Sequence, residues 1–297
     1  MTGRHAATAA GDPRRAGYRD PVSELVGELT GPLAVAGRKP EPAAGAGPKK
    51  NYAERFSRAL AQLVGDRVRA HFPKARVTPW ADGSGQEYIV GGALDRKKTD
   101  VGVWDDAAGL ILGASIKTYS FRDWIPAKGV VGRYSKNVKR NDMELRDEAD
   151  VLHRRQPYAV LFALFFLPED ACWDGVTGHS SFAQAVFTLR KRAGRARPDS
   201  ARYDLFERVF IGLYDEHGHV RFFDVLQAPP RNQPPRDTIS LDELVAEMVQ
   251  EVALRNGGAR GDERFAPEDP AWAPPVGSLP AGLVATDEPE EDSALLY

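Results

Sequence analysis

The chain has 297 residues, 42% of them hydrophobic and 28% charged, with a formal net charge of −2, the make-up of a globular body with polar tails rather than of a fibrous chain. Its single cysteine, Cys172, excludes an intramolecular disulfide and a cysteine-based zinc cluster. The longest apolar run, Ala159 to Leu167, falls well short of the roughly 18–20 residues of a membrane span, and no apolar leader opens the chain, so a cytoplasmic location with no membrane contact is expected.

Charge is spread unevenly. Residues 51–200 hold 24 Lys and Arg against 18 Asp and Glu, whereas residues 257–297 hold 2 against 9. A basic body suits phosphate contacts and an acidic tail competes with them, but an ordinary solvated surface gives the same distribution.

Residues 1–48 and 257–297 are rich in Pro, Gly and Ala or acids, too poor in apolar area to offset ordering entropy, and are expected to be disordered tails around one domain at 49–256. A helical turn or two at Val22 to Leu29 is the sole expected exception. The domain opens with a helix over Tyr52 to Ala70, where Phe56, Leu60, Leu63, Val64 and Val68 recur at helical spacing. Strands are expected at Arg76–Trp80 and Tyr88–Val90. A hairpin follows, Asp100–Trp104 and Leu110–Thr118, joined by a turn ending in Gly109.

A helix from about Ser135 to Arg155 carries the apolar stripe Val138, Leu145, Ala149 and Leu152, and Pro157 stops it. The nearly continuous apolar strand Tyr158–Leu167 suits the centre of a sheet covered on both faces. A helix at Ser180–Arg192, a hairpin of Val209–Tyr214 with Val220–Val225, and a last helix opened by the capping box Ser240 and Glu243 complete the pattern. Interleaved strands and helices predict an α/β (α+β) fold with a central mixed sheet flanked by helices.

The chemistry concentrates in Thr99-Asp100-Val101-Gly102 and, one strand later, Ala114-Ser115-Ile116-Lys117. Ser115 and Lys117 are two apart, so they share one strand face, opposite the apolar face of Leu112, Ala114 and Ile116. A lysine in an otherwise apolar central strand is costly unless anions meet its ammonium.

This pattern resembles the PD-(D/E)xK nuclease superfamily, which includes many restriction endonucleases, over roughly residues 50–170. The resemblance puts Asp100 in the place of the metal-binding acid and Lys117 in that of the lysine. Thr99 replaces the usual proline, and Ser115 replaces the usual Asp or Glu, which removes a ligand that a hard cation needs. Some restriction enzymes of the superfamily have Ser there and take the acid from the following helix. Here that helix has the polar stripe Asn137, Asn141, Glu144 and Glu148, of which Glu144 is the preferred replacement and Glu148 the second. Glu54, on the helix before the sheet, and Glu87, before the hairpin, are further candidate metal ligands.

The resemblance implies a restriction endonuclease-like fold and a Mg²⁺- or Mn²⁺-dependent endonuclease acting on double-stranded DNA in defence. A homodimer and a cognate methyltransferase encoded nearby are implied partners. A non-catalytic DNA-binding protein on the same fold and an RNA- or structure-specific nuclease are the alternatives. The segment Lys117 to Trp124 mixes aromatic, basic and hydroxyl groups that suit either DNA contacts or a core-sealing loop. Lys136, Lys139 and Arg140 suit a phosphate or a solvated face. His153, Arg154 and Arg155 are expected to stabilise a helix C-terminus.

Overall fold

The computed structural model describes residues 26–86, 88–89, 98–105, 108–122, 124–134, 137–175 and 178–256. Glu87, Gly91-Gly92, Lys136 and the acidic stretch 257–297 lie outside the described residues, as do residues 1–25. No helix among the described residues is long and apolar enough to cross a membrane.

The elements run α1 (Thr30–Ala36), α2 (Ala46–Arg69), β1 (Arg76–Thr78), β2 (Tyr88–Ile89), β3 (Lys98–Thr99), β4 (Val101–Asp105), β5 (Gly109–Thr118), β6 (Trp124–Ile125), β7 (Val130–Val131), α3 (Val138–Arg155), β8 (Val160–Pro168), α4 (Ser181–Leu189), β9 (Arg208–Tyr214), β10 (Val220–Asp224) and α5 (Leu241–Asn256). Six strands form one mixed sheet in the order β1-β4-β5-β8-β9-β10. Pairing is antiparallel from β1 to β5, parallel from β5 through β8 to β9, and antiparallel again at β10. The expected α/β architecture with a central mixed sheet flanked by helices is what forms.

Two cores sandwich this sheet. Val160, Phe162, Leu164 and Phe166 of β8 join residues of α1, α2 and α5, while Leu161, Ala163, Phe165 and Leu167 join residues of α3 and α4. Strand period two thus splits one apolar run between two layers, and every residue of β8 is buried.

The N-terminal boundary needs correction. Residues 26–48, which composition assigns to a disordered tail, carry α1 and the first turn of α2, and Leu29 and Ala36 are buried in the core. Few apolar side chains suffice because the docking is largely through backbone. The Leu29 N–H donates to the Gly218 carbonyl at 2.8 Å, and Arg55 donates to the Ala36 carbonyl at 3.1 and 2.7 Å. Gly218 has φ +85°, and a Cβ there would lie 2.6 Å from the Thr30 nitrogen, so this turn needs glycine twice over.

The capping box forms as expected: Glu243 N–H donates to Ser240 Oγ at 3.3 Å and Ser240 N–H to Glu243 Oε2 at 2.7 Å. Ser240→Ala is expected to cost about 1 kcal/mol, read as a lower urea midpoint with an unchanged m-value.

Candidate active site

Register fixes which side chains share a face. Val101 pairs with Ala114 on the α2 side of the sheet. Ser115 follows Ala114 and so belongs to the opposite, α3 side, while Asp100 stands in the bend just before β4. Ser115 pairs with Ala163 and Lys117 with Phe165, both of which face α3. The helix then brings its own acid. Glu148 lies between Leu145 and Leu152 on the buried stripe of α3 and has a side-chain exposure of 8%.

The Ser115 hydroxyl donates to Glu148 Oε1, and the Lys117 ammonium donates to Glu148 Oε2 at 3.3 Å. Asp100 Oδ2 accepts the Ile116 backbone N–H at 2.6 Å, which ties the acid in the bend before β4 to the residue between Ser115 and Lys117 on β5. A buried carboxylate is costly unless bonded and paired, and Ser115 and Lys117 meet that need for Glu148. This gives the serine a physical reason. An acid at position 115 would face Glu148 as a like charge, whereas a hydroxyl donates a hydrogen bond to it.

Burial acts to lower the pKa of Lys117, but the charges of Glu148, Asp100 and Glu144 together outweigh it and hold the pKa above the ordinary lysine value. The side chain keeps 22% of its surface exposed. A cation therefore stands at an open rim, surrounded by anions.

Glu144, the preferred replacement acid, sits differently. It is 41% exposed and takes the Arg140 guanidinium at 2.8 Å, one turn back on its own helix. It acts on Lys117 through its charge, not through a hydrogen bond. Glu54 lies on the solvent side of α2, 3.6 Å from Lys50. Asn141 is half-buried.

The chemistry of the donor set fits Mg²⁺ or Mn²⁺. Asp100 and Glu148, both bonded around the Ser115–Lys117 stretch of β5, offer hard carboxylate oxygens, and Mg²⁺ is commonly bound by one or two carboxylates with substrate phosphates completing the shell. No cluster of three or more His, Cys, Asp or Glu suited to a metal occurs among the described residues, so a shell built on these two acids would need substrate and water oxygens.

Past the site, the aromatics divide between the two expected roles. Tyr119 is buried edge-on to Tyr134, and Phe121 packs edge-on to Tyr52, so both seal the core. Trp124 is exposed. His153 is fully buried rather than exposed at the helix end: its Nδ1 lies 3.2 Å from the Tyr203 carbonyl and its Nε2 3.4 Å from Glu207 Oε2. Arg154 pairs with Asp150 one turn earlier.

Sequence reasoning missed that second cluster. Glu207, buried at the β8–β9 junction, accepts from Arg195 at 3.1 Å, Arg255 at 2.9 Å and the Leu161 N–H at 2.7 Å. It also missed Asp142, buried on α3 and paired with Arg192 and Lys191. The phase of α3 was the available signal: Asp142 and Glu148 fall in step with Leu145, Ala149 and Leu152. Family models, curated proteins and solved structures were compared with the chain, and none matches it.

Proposed function

We propose that the protein is a metal-dependent, restriction-type DNA endonuclease in which Asp100, Glu148 and Lys117 are the reacting-site groups and Ser115 positions Glu148. One observation carries this reading. Glu148 of α3 is bonded to Ser115 and Lys117, and Asp100 accepts the N–H of the residue between them, an arrangement in which α3 could stand in for the acid absent from position 115. The cytoplasmic, defensive setting and the Mg²⁺ or Mn²⁺ requirement belong to the same proposal.

Asp100 and Glu148 would hold the ion. Bound there, it supplies Lewis acidity toward a phosphate oxygen and lowers the pKa of a coordinated water. Asp100 is oriented for this by the Ile116 N–H, and Glu148 by the Ser115 hydroxyl. Lys117, beside Glu148, would hold or deprotonate the attacking water, or neutralise the charge that builds on the phosphate.

The test is plasmid relaxation. Supercoiled DNA incubated with the protein and Mg²⁺ or Mn²⁺ is expected to be nicked or linearised, and EDTA should stop it. Asp100→Ala and Lys117→Ala should each abolish it. DNA binding with no cleavage under either metal would refute the endonuclease reading in favour of a non-catalytic DNA-binding protein.

A further inference from the structure

Glu148 has both of its carboxylate oxygens engaged. Oε1 accepts the Ser115 hydroxyl, and Oε2 accepts the Lys117 ammonium at 3.3 Å. The charges of Asp100 and Glu144 also act on that ammonium. A cation of the protein's own therefore already neutralises the acids that a divalent ion would meet.

The two partners differ in their freedom to part. Glu148 has a side-chain exposure of 8% and is fixed in the wall by the packing of α3, whereas Lys117 keeps 22% of its side chain open and carries its charge on a flexible four-carbon stem. Two cations on one carboxylate repel each other, and the lysine is the one with a way out to the rim. Two acids are also few for a metal held by protein alone. No group of three or more His, Cys, Asp or Glu suited to a metal occurs among the described residues, and Mg²⁺ bound by one or two carboxylates takes the rest of its shell from water and substrate phosphates.

We infer that Lys117 is a resident counter-ion that competes with the divalent ion for Glu148, and that a DNA phosphate ends the competition by drawing the ammonium away while completing the metal's shell. Metal and DNA then bind cooperatively, since each removes a cost that the other meets, and the coupling is equal in both directions. The protein alone holds the ion weakly, and the site assembles where a phosphodiester is present. The part given to the phosphate rests on the nuclease reading. The competition rests on the Lys117–Glu148 pair and is tested without DNA.

Mn²⁺ binding to the full-length protein is followed by electron paramagnetic resonance of the free ion. Lys117→Met keeps the length of the stem and removes the charge, and should bind Mn²⁺ about tenfold more tightly than the wild type, the effect of losing one competing charge-assisted hydrogen bond. Lys117→Arg keeps the charge and should stay near the wild type, and Glu148→Gln should bind at least tenfold more weakly. The same order should appear in the rise of the thermal midpoint on adding Mn²⁺. If Lys117→Met fails to fold, the neutral Lys117→Gln carries the comparison. Duplex affinity, read by anisotropy, should rise from EDTA to Ca²⁺ more in the wild type than in Lys117→Met, and an equal rise overturns the phosphate's part. Mn²⁺ affinity in Lys117→Met no higher than in the wild type overturns the counter-ion, as does unchanged affinity in Glu148→Gln. Either result beside plasmid cleavage by the wild type leaves the nuclease reading standing. Tighter binding by Lys117→Met, in a protein that cuts nothing with Mg²⁺ or Mn²⁺, keeps the counter-ion and removes the nuclease reading.

Discussion

Glu148→Gln is expected to reduce metal-dependent cleavage by about 10²–10³-fold, the usual consequence of removing one oriented charge at a reacting centre. Glu144→Gln should stay within a few-fold of the wild type. Both residues lie on α3, four apart, and both act on the Lys117 ammonium. The difference is one of position. Glu148 is bonded to Ser115 and Lys117 in the wall of the site, whereas Glu144 is spread toward solvent and Arg140. An exposed pair one helical turn apart contributes only about 0.3–0.5 kcal/mol. The Gln at 148 still accepts the Ser115 hydroxyl, so urea unfolding should show little loss, and activity and stability separate. A Glu144→Gln loss as large as that of Glu148→Gln would move the acid to position 144. Ser115→Ala should fall between them, since Glu148 keeps its charge but not its orientation.

Glu207→Gln is expected to destabilise the fold by about 3–5 kcal/mol while leaving cleavage per folded molecule unchanged, because it strips the shared anion from buried Arg195 and Arg255. The pH dependence has a definite sign. Burial acts to raise the Glu207 pKa, but His153, Arg255 and the Leu161 N–H outweigh it and hold the carboxyl below its ordinary range. A depressed folded value gives stability that is complete above the unfolded glutamate value of about 4.3 and is lost as pH falls through the lower folded one. Wild type and variant should therefore differ most at neutral pH and converge in acid. Urea midpoints across that range measure it, and a gap that persists in acid would mean that the pairing contributes little.

The sheet was legible because its signals are local. The apolar run at β8 and the hairpin at β4–β5 follow from composition and turn residues, and the capping box of α5 needs only Ser240 and Glu243. The half of the site carried by one hairpin, Asp100 with Ser115 and Lys117, was legible for the same reason. The acid on α3 was harder, since a polar stripe of four residues allows two glutamates and only the rotation of the packed helix selects Glu148. The Glu207 cluster joins residues 153, 161, 195, 207 and 255, and no periodicity links positions so far apart. Helix α1 was hidden because its docking runs through backbone groups that composition does not weigh.

Lys117 and Ser115 stand where β5 pairs with β8, in a sheet that two cores enclose. Their placement therefore yields only when the whole domain opens. The β6–β7 ribbon has a single pair of two-residue strands and no core of its own, so it opens at far lower free energy. The molecule thus sets a stiff platform beside a segment that gives way easily, so the ribbon can rearrange without disturbing Ser115 and Lys117.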